Sequence, residues 1–199
     1  MLNDILSTAK KYSEGLSHVQ QRRVQWADKC KQLTSHLKEI ADFLNKNSAF
    51  TPGFFVDTFY AFDEQINGTC IEMPSVTFRS GDLPMDIVFK NEDGNNVSYV
   101  EKGFQITFNP TPTGQIAVIL FPHHNNFHKP NPAFSPLLVI NDMNELDMTL
   151  IDEIIHKGME AAFYSSFAGM AEVDKSLNQA SQYSPIGFKR YESTERQKQ

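Results

Sequence analysis

Between Leu2 and Leu44, the residues Leu2, Ile5, Ala9, Tyr12, Leu16, Val19, Arg23, Trp26, Cys30, Leu33, Leu37, Ile40 and Leu44 follow one another in steps of three and four. Steps of that size fall on one stripe of an α-helix, and only Arg23 in the series is charged, so residues 1–48 read as a helical segment carrying a heptad seam. Unbroken, about 44 residues would run roughly 66 Å, further than the rest of a small domain is wide. Two arrangements cover such a seam. It packs on the chain's own sheet, or a second copy or partner pairs along it, with Leu16, Val19, Arg23, Trp26, Leu33, Leu37 and Ile40 as the candidate contact residues. Leu6, Val24, Ala27, Ala41 and Phe43 widen the stripe, as expected of a helix lying on a globular core. Gly15 offers a place to break and fold back, since glycine costs about 1 kcal/mol against alanine inside a helix. Thr51, Pro52 and Gly53 should end the helix.

From Phe54 to Ile140 the apolar period changes to two, with turn signals at short intervals, which predicts an antiparallel meander. Asn67-Gly68 suits a type I′ turn that would pair Ile66 with Thr69, Glu64 with Ile71 and Phe62 with Met73. Further strands are expected at Met85–Lys90, Val97–Glu101, Phe104–Asn109, Gln115–Phe121 and Leu137–Ile140, with reversals at Asp93-Gly94 and Thr113-Gly114. Ile116–Phe121 is apolar without alternation and reads as a central strand covered on both faces. His123–Pro136 reads as a long loop. A second helix is expected at about 145–172, capped by Asn144 or Asp142, with small residues at Gly158, Ala162, Ser165, Ser166 and Gly169 allowing close packing. The predicted fold is α+β in two layers. An antiparallel sheet of five to seven strands within 54–140 is flanked by the long N-terminal helix and a C-terminal helix. Residues 1–174 form one domain and 175–199 a mostly mobile polar tail.

Composition narrows the class of function. The 199 residues are 40% hydrophobic and 21% charged, enough for a core without metal or disulfide. Net charge is −6, distributed as +3 over 1–48, −6 over 49–144, −6 over 145–174 and +3 over 175–199. An acidic total with a basic first helix argues against nucleic acid and for contact between the chain's own basic and acidic parts. No run reaches the roughly 18 apolar residues of a membrane span, and Met1–Tyr12 lacks the apolar core of a secretory signal. A cytoplasmic protein with reduced, buried Cys30 and Cys70 is therefore expected.

Three constellations could carry chemistry. His123, His124 and His128 place three imidazoles on one loop, the commonest neutral metal ligands, though no carboxylate or cysteine stands among them. Glu153 and His156 share a helix face at a spacing used in helical metal sites, and Asp63 would oppose Glu72 across the first hairpin. The chain has 16 phenylalanines, of which Phe54, Phe55, Phe59, Phe62, Phe89 and Phe108 could line an apolar pocket between helix and sheet. No nucleophile elbow, phosphate-binding glycine loop, dinucleotide fingerprint or zincin motif occurs, and no cofactor is implied. The seam is the most specific feature. The sequence thus reads first as a protein-protein interaction or assembly module, second as a carrier of a small apolar ligand, and third as a metal-dependent enzyme using the histidine loop.

Overall fold

A computed structural model of the chain describes residues 2–60, 73–125 and 135–173. The heptad segment is one helix, α1 (Leu2–Asn47), and it runs straight through Gly15 without breaking. Asn45 fixes the chain that follows: its Oδ1 accepts from the Phe54 amide at 2.8 Å and its Nδ2 donates to the Phe54 carbonyl at 2.9 Å. Gly53, with φ of +91°, makes the reversal between them.

The strands in chain order are β1 (Phe54–Tyr60), β2 (Pro74–Ser80), β3 (Leu83–Lys90), β4 (Asn96–Lys102), β5 (Gln105–Pro110), β6 (Ile116–Phe121), β7 (His124–Asn125) and β8 (Ser135–Ile140). All pairings among the described residues are antiparallel. The main sheet has the order β1-β2-β5-β6-β8, and β3-β4-β7 form a smaller one. The expected meander is therefore interrupted, because the β3–β4 hairpin leaves the main sheet and β2 pairs directly with β5. The junction is sealed at the hairpin's base. The Ser80 amide donates to the Phe104 carbonyl at 3.1 Å, the Phe104 amide donates to Ser80 Oγ at 3.1 Å, and only a glycine at 103 leaves room beside the Ser80 carbonyl.

Both glycine reversals appear where the sequence placed them, with Gly94 at φ +80° and Gly114 at φ +79°. Two expectations need correction. β6 is fourth of five strands and alternates between buried and half-buried residues, because among the described residues the helices pack on one face of the sheet; β5 is the central strand. In the first hairpin the turn at Asn67-Gly68, together with Phe62, Asp63, Cys70 and Glu72, lies outside the described residues. The described part of this pairing sets Tyr60 opposite Pro74. Val76 and Phe78 both face the core, so β1 must bring Val56 and Thr58 opposite them, and that parity decides the register.

The C-terminal helix is also shorter than expected. A 3-10 turn (Met143–Glu145) is capped by Asp142, and α2 (Met148–Phe163) is capped by Asp147, whose side chain accepts from the Leu150 amide. After α2 the Ser165 and Ser166 hydroxyls donate to the carbonyls of Ala162 and Phe163, and Ser166 Oγ then accepts from the Gly169 amide to start a last helical piece at 167–173. Serines that satisfy backbone groups in this way end one helix and cap the next.

The core lies between the sheet and one helical layer. Trp26, Cys30, Leu33, Leu37 and Ala41 of α1 and Ile151, Ile154, Ile155 and Ala162 of α2 meet Phe54, Val76, Phe78, Ile106, Phe108, Ile116 and Val118. Gly158 lets α2 settle onto the Ile106 side chain, where a Cβ would collide. The opposite face of the sheet is polar along its middle: Thr77 and Thr107 hydroxyls lie 2.9 Å apart, Ser75 donates to Asn109 at 2.6 Å, and Arg79 pairs with Asp57.

Candidate functional site

The fold divides the heptad seam in two. Leu33 and Leu37 are fully enclosed, Trp26 and Cys30 are buried, and Ile40 and Leu44 pack against the same core. These positions cover the chain's own sheet, so the expected partner contact does not fit the buried Trp26, Leu33 and Leu37, while Ile40 is half-buried at the edge of the same core. Leu2 to His18 have no buried or half-buried residue. At 1.5 Å per residue this arm is roughly 25 Å long, and it presents Leu2, Ile5, Leu6, Tyr12 and Leu16 to solvent, with Leu16 at 65% and Tyr12 at 73% exposure. The apolar stripe of an undistorted helix drifts about 20° per heptad, so the free stripe is turned by roughly 60–70° from the buried one.

The changeover is at Val19 to Trp26. Arg23, the one charged seam residue, donates from its guanidinium to the Pro112 carbonyl in the β5–β6 turn at 2.6 Å. Gly114 in that turn lies so close to α1 that a Cβ would stand 2.7 Å from Arg22 Cβ. One step further in, Trp26 Nε1 donates to the Pro74 carbonyl at 2.9 Å, and Lys29 reaches the Leu146 carbonyl at 3.1 Å. The helix is thus fastened to the rest of the described residues from Arg22 onward, and every residue from Leu2 to His18 is exposed. A groove of about 490 Å³ runs along the arm beside Thr8, Lys11, Tyr12, Gly15, Leu16 and Val19.

Charge on the arm stays off the stripe. The residues flanking it, Leu6, Thr8, Ser13 and Gly15, are uncharged, while Asp4, Lys10, Lys11 and Glu14 occupy the outer heptad positions. Leu2, Ile5, Leu6 and Tyr12 are absent from the contact residues singled out by sequence. The signal that would have found them is Arg23, which marks where the seam changes its neighbour.

His128 and its flanking residues lie outside the described segments. His123 follows β6, where its amide donates to Ser165 Oγ at 3.0 Å and its ring meets the edge of Phe104, with centroids 5.4 Å apart. Its Nδ1 stands 3.2 Å from the Lys102 carbonyl, and His124 lies in β7 opposite Lys102. Burial lowers the His123 pKa, while the Glu101 carboxylate pulls it the other way. Glu101 itself is buried and accepts from the Phe167 amide at 2.6 Å, tying the small sheet to the last helical piece. Among the described residues no three His, Cys, Asp or Glu stand close enough to hold a metal ion.

The phenylalanine set is dispersed. Phe54 and Phe108 are in the core, with Phe54 stacked on Phe78 at 5.8 Å. Phe55 and Phe59 are exposed on the opposite face of β1, Arg79 lies over the Phe55 ring, and Phe89 belongs to β3 in the other sheet. These five rings do not line a common cavity. Glu153 pairs with Lys157 at 2.5 Å, and His156 is exposed on α2.

Comparison with protein-family models, curated proteins and solved structures finds no match to this chain. Among the described residues no helix is long and apolar enough to cross a membrane.

Proposed function

We propose that the protein is an association module whose docking surface is the α1 arm, with Leu2, Ile5, Leu6, Tyr12, Leu16 and Val19 as the contact residues. One observation supports this above the others: five large apolar side chains stand exposed on one stripe of a helix whose continuation is buried by the chain's own sheet. Scattered surface leucines need no explanation, but a contiguous stripe on a projecting helix is the form that helix-in-groove and coiled-coil partners recognise. An exposed helical arm gains little from its own propensity in water, so a partner along the stripe would also stabilise it as a helix.

The test compares the wild-type chain with an Ile5→Asp/Leu16→Asp variant in extract of the source cell. Sedimentation should place the wild type in a larger species and the variant at its own mass, with matching circular dichroism and melting for the purified proteins at dilutions where both are single chains. Equal sedimentation of the two as single chains would refute the reading.

A further inference from the structure

Resting on that reading of the arm, we infer that its partner is the arm of a second copy of this chain, laid antiparallel so that Ala9 of each copy faces Tyr12 of the other. In this register Leu2 meets Val19 of the second copy, Ile5 meets Leu16, and Ala9 meets Tyr12, each twice by symmetry. The smallest residue of the stripe thereby lies opposite the largest. The flanks match in the same sense, with Leu6 beside Ser13 and Thr8 beside Gly15, where a side chain would meet open space. A parallel pair would instead set Tyr12 against Tyr12 at one level and Ala9 against Ala9 at another, which crowds the first and leaves a void at the second.

Length and bulk favour the same arrangement. The tip residue Leu2 reaches Val19 of the second copy, the first residue of α1 that is not fully exposed, so the overlap consumes the free arm and stops where Gly114 closes on the helix. Antiparallel arms put one globular body at each end. Parallel arms would bring both bodies, each lying along residues 26–44 of its own helix, to the same end. Leu2, Ile5, Leu6, Tyr12 and Leu16 are 56–82% exposed in the single chain, so pairing two arms would shield ten large apolar side chains from water at once. No charged residue enters the contact, so its formation should depend little on salt.

The experiment uses the purified full chain. Sedimentation equilibrium of the wild type should give a dimer at micromolar concentration, and Leu16→Asp should raise the dissociation constant at least 100-fold by placing a carboxylate opposite Ile5. Orientation is read by Ile5→Cys and Leu16→Cys, each in a Cys70→Ser background. Oxidised together, the two variants should form a mixed disulfide dimer, and neither should cross-link to itself, because like positions stand roughly 16 Å apart along the pair. Self-cross-linking of each variant would overturn the antiparallel register. A purified chain that stays single at 100 µM would overturn the second copy as partner, whereas the arm reading itself falls only if the arm variant also leaves sedimentation in extract unchanged.

Discussion

Leu16 and Leu37 occupy the same heptad position three repeats apart, and the structure assigns them opposite fates. Leu37 has no exposed surface and packs among the residues of the sheet, whereas Leu16 is 65% exposed on the arm. Truncation to alanine removes the same atoms at both sites. At Leu37 the loss includes transfer free energy and a cavity in a packed core, about 3 kcal/mol within a usual range of 2–5. For a chain of this size that lowers Tm by roughly 6–12 °C. At Leu16 little is lost in the separate chain, and alanine's helix propensity offsets part of it, so the change should stay within about 0.5 kcal/mol. Urea unfolding followed by the fluorescence of Trp26, at protein concentrations too low for association, reads both values directly. The m-values should not change. A Leu16→Ala cost equal to that of Leu37→Ala would mean that the arm folds against its own body in solution, and the division of the seam would be wrong.

Other consequences follow from single contacts. Gly114→Ala adds a side chain at positive φ and against Arg22, so it should destabilise by about 1–3 kcal/mol and loosen the start of the fastened helix, seen as faster amide exchange at 19–25. Unchanged exchange there would detach the β5–β6 turn from the role given to it. Burial holds the His123 imidazole below its ordinary value of 6.5, so the folded chain resists a proton that the unfolded chain accepts. Stability should then be full above pH 6.5 and fall as pH drops below it, and His123→Gln should flatten that part of the profile. An identical slope in both proteins would remove His123 as its cause. Cys30 is buried and its thiol is pushed above the ordinary value of 9.0 by desolvation, so it should react with aromatic disulfide reagents only on unfolding. Prompt labelling of Cys30 in the native protein would contradict the packing of α1.

The helix, the antiparallel pairing and both glycine reversals were legible in the sequence because each depends on local pattern: a stripe at helical spacing, alternation, and glycine where φ is positive. What the stripe faces was not. Leu16 and Leu37 look alike in a heptad register, and only the reach of the sheet decides which is covered. The departure of the β3–β4 hairpin depends on contacts of Ser80, at the end of β2, with Gly103 and Phe104, just before β5, which lie far from it in the sequence. Phe54 and Phe55 show the same limit at closer range: adjacent residues of one strand face opposite sides, so counting phenylalanines suggested a pocket that the alternation of β1 divides.

Hydrogen–deuterium exchange across a concentration series tests most directly the claim that α1 is a core helix with a free docking arm. Residues 26–44 should be slow at every concentration, while residues 2–18 should exchange within seconds at high dilution and become protected as the chain associates. Fast exchange of 2–18 at every concentration, in purified protein and in extract alike, would contradict the account.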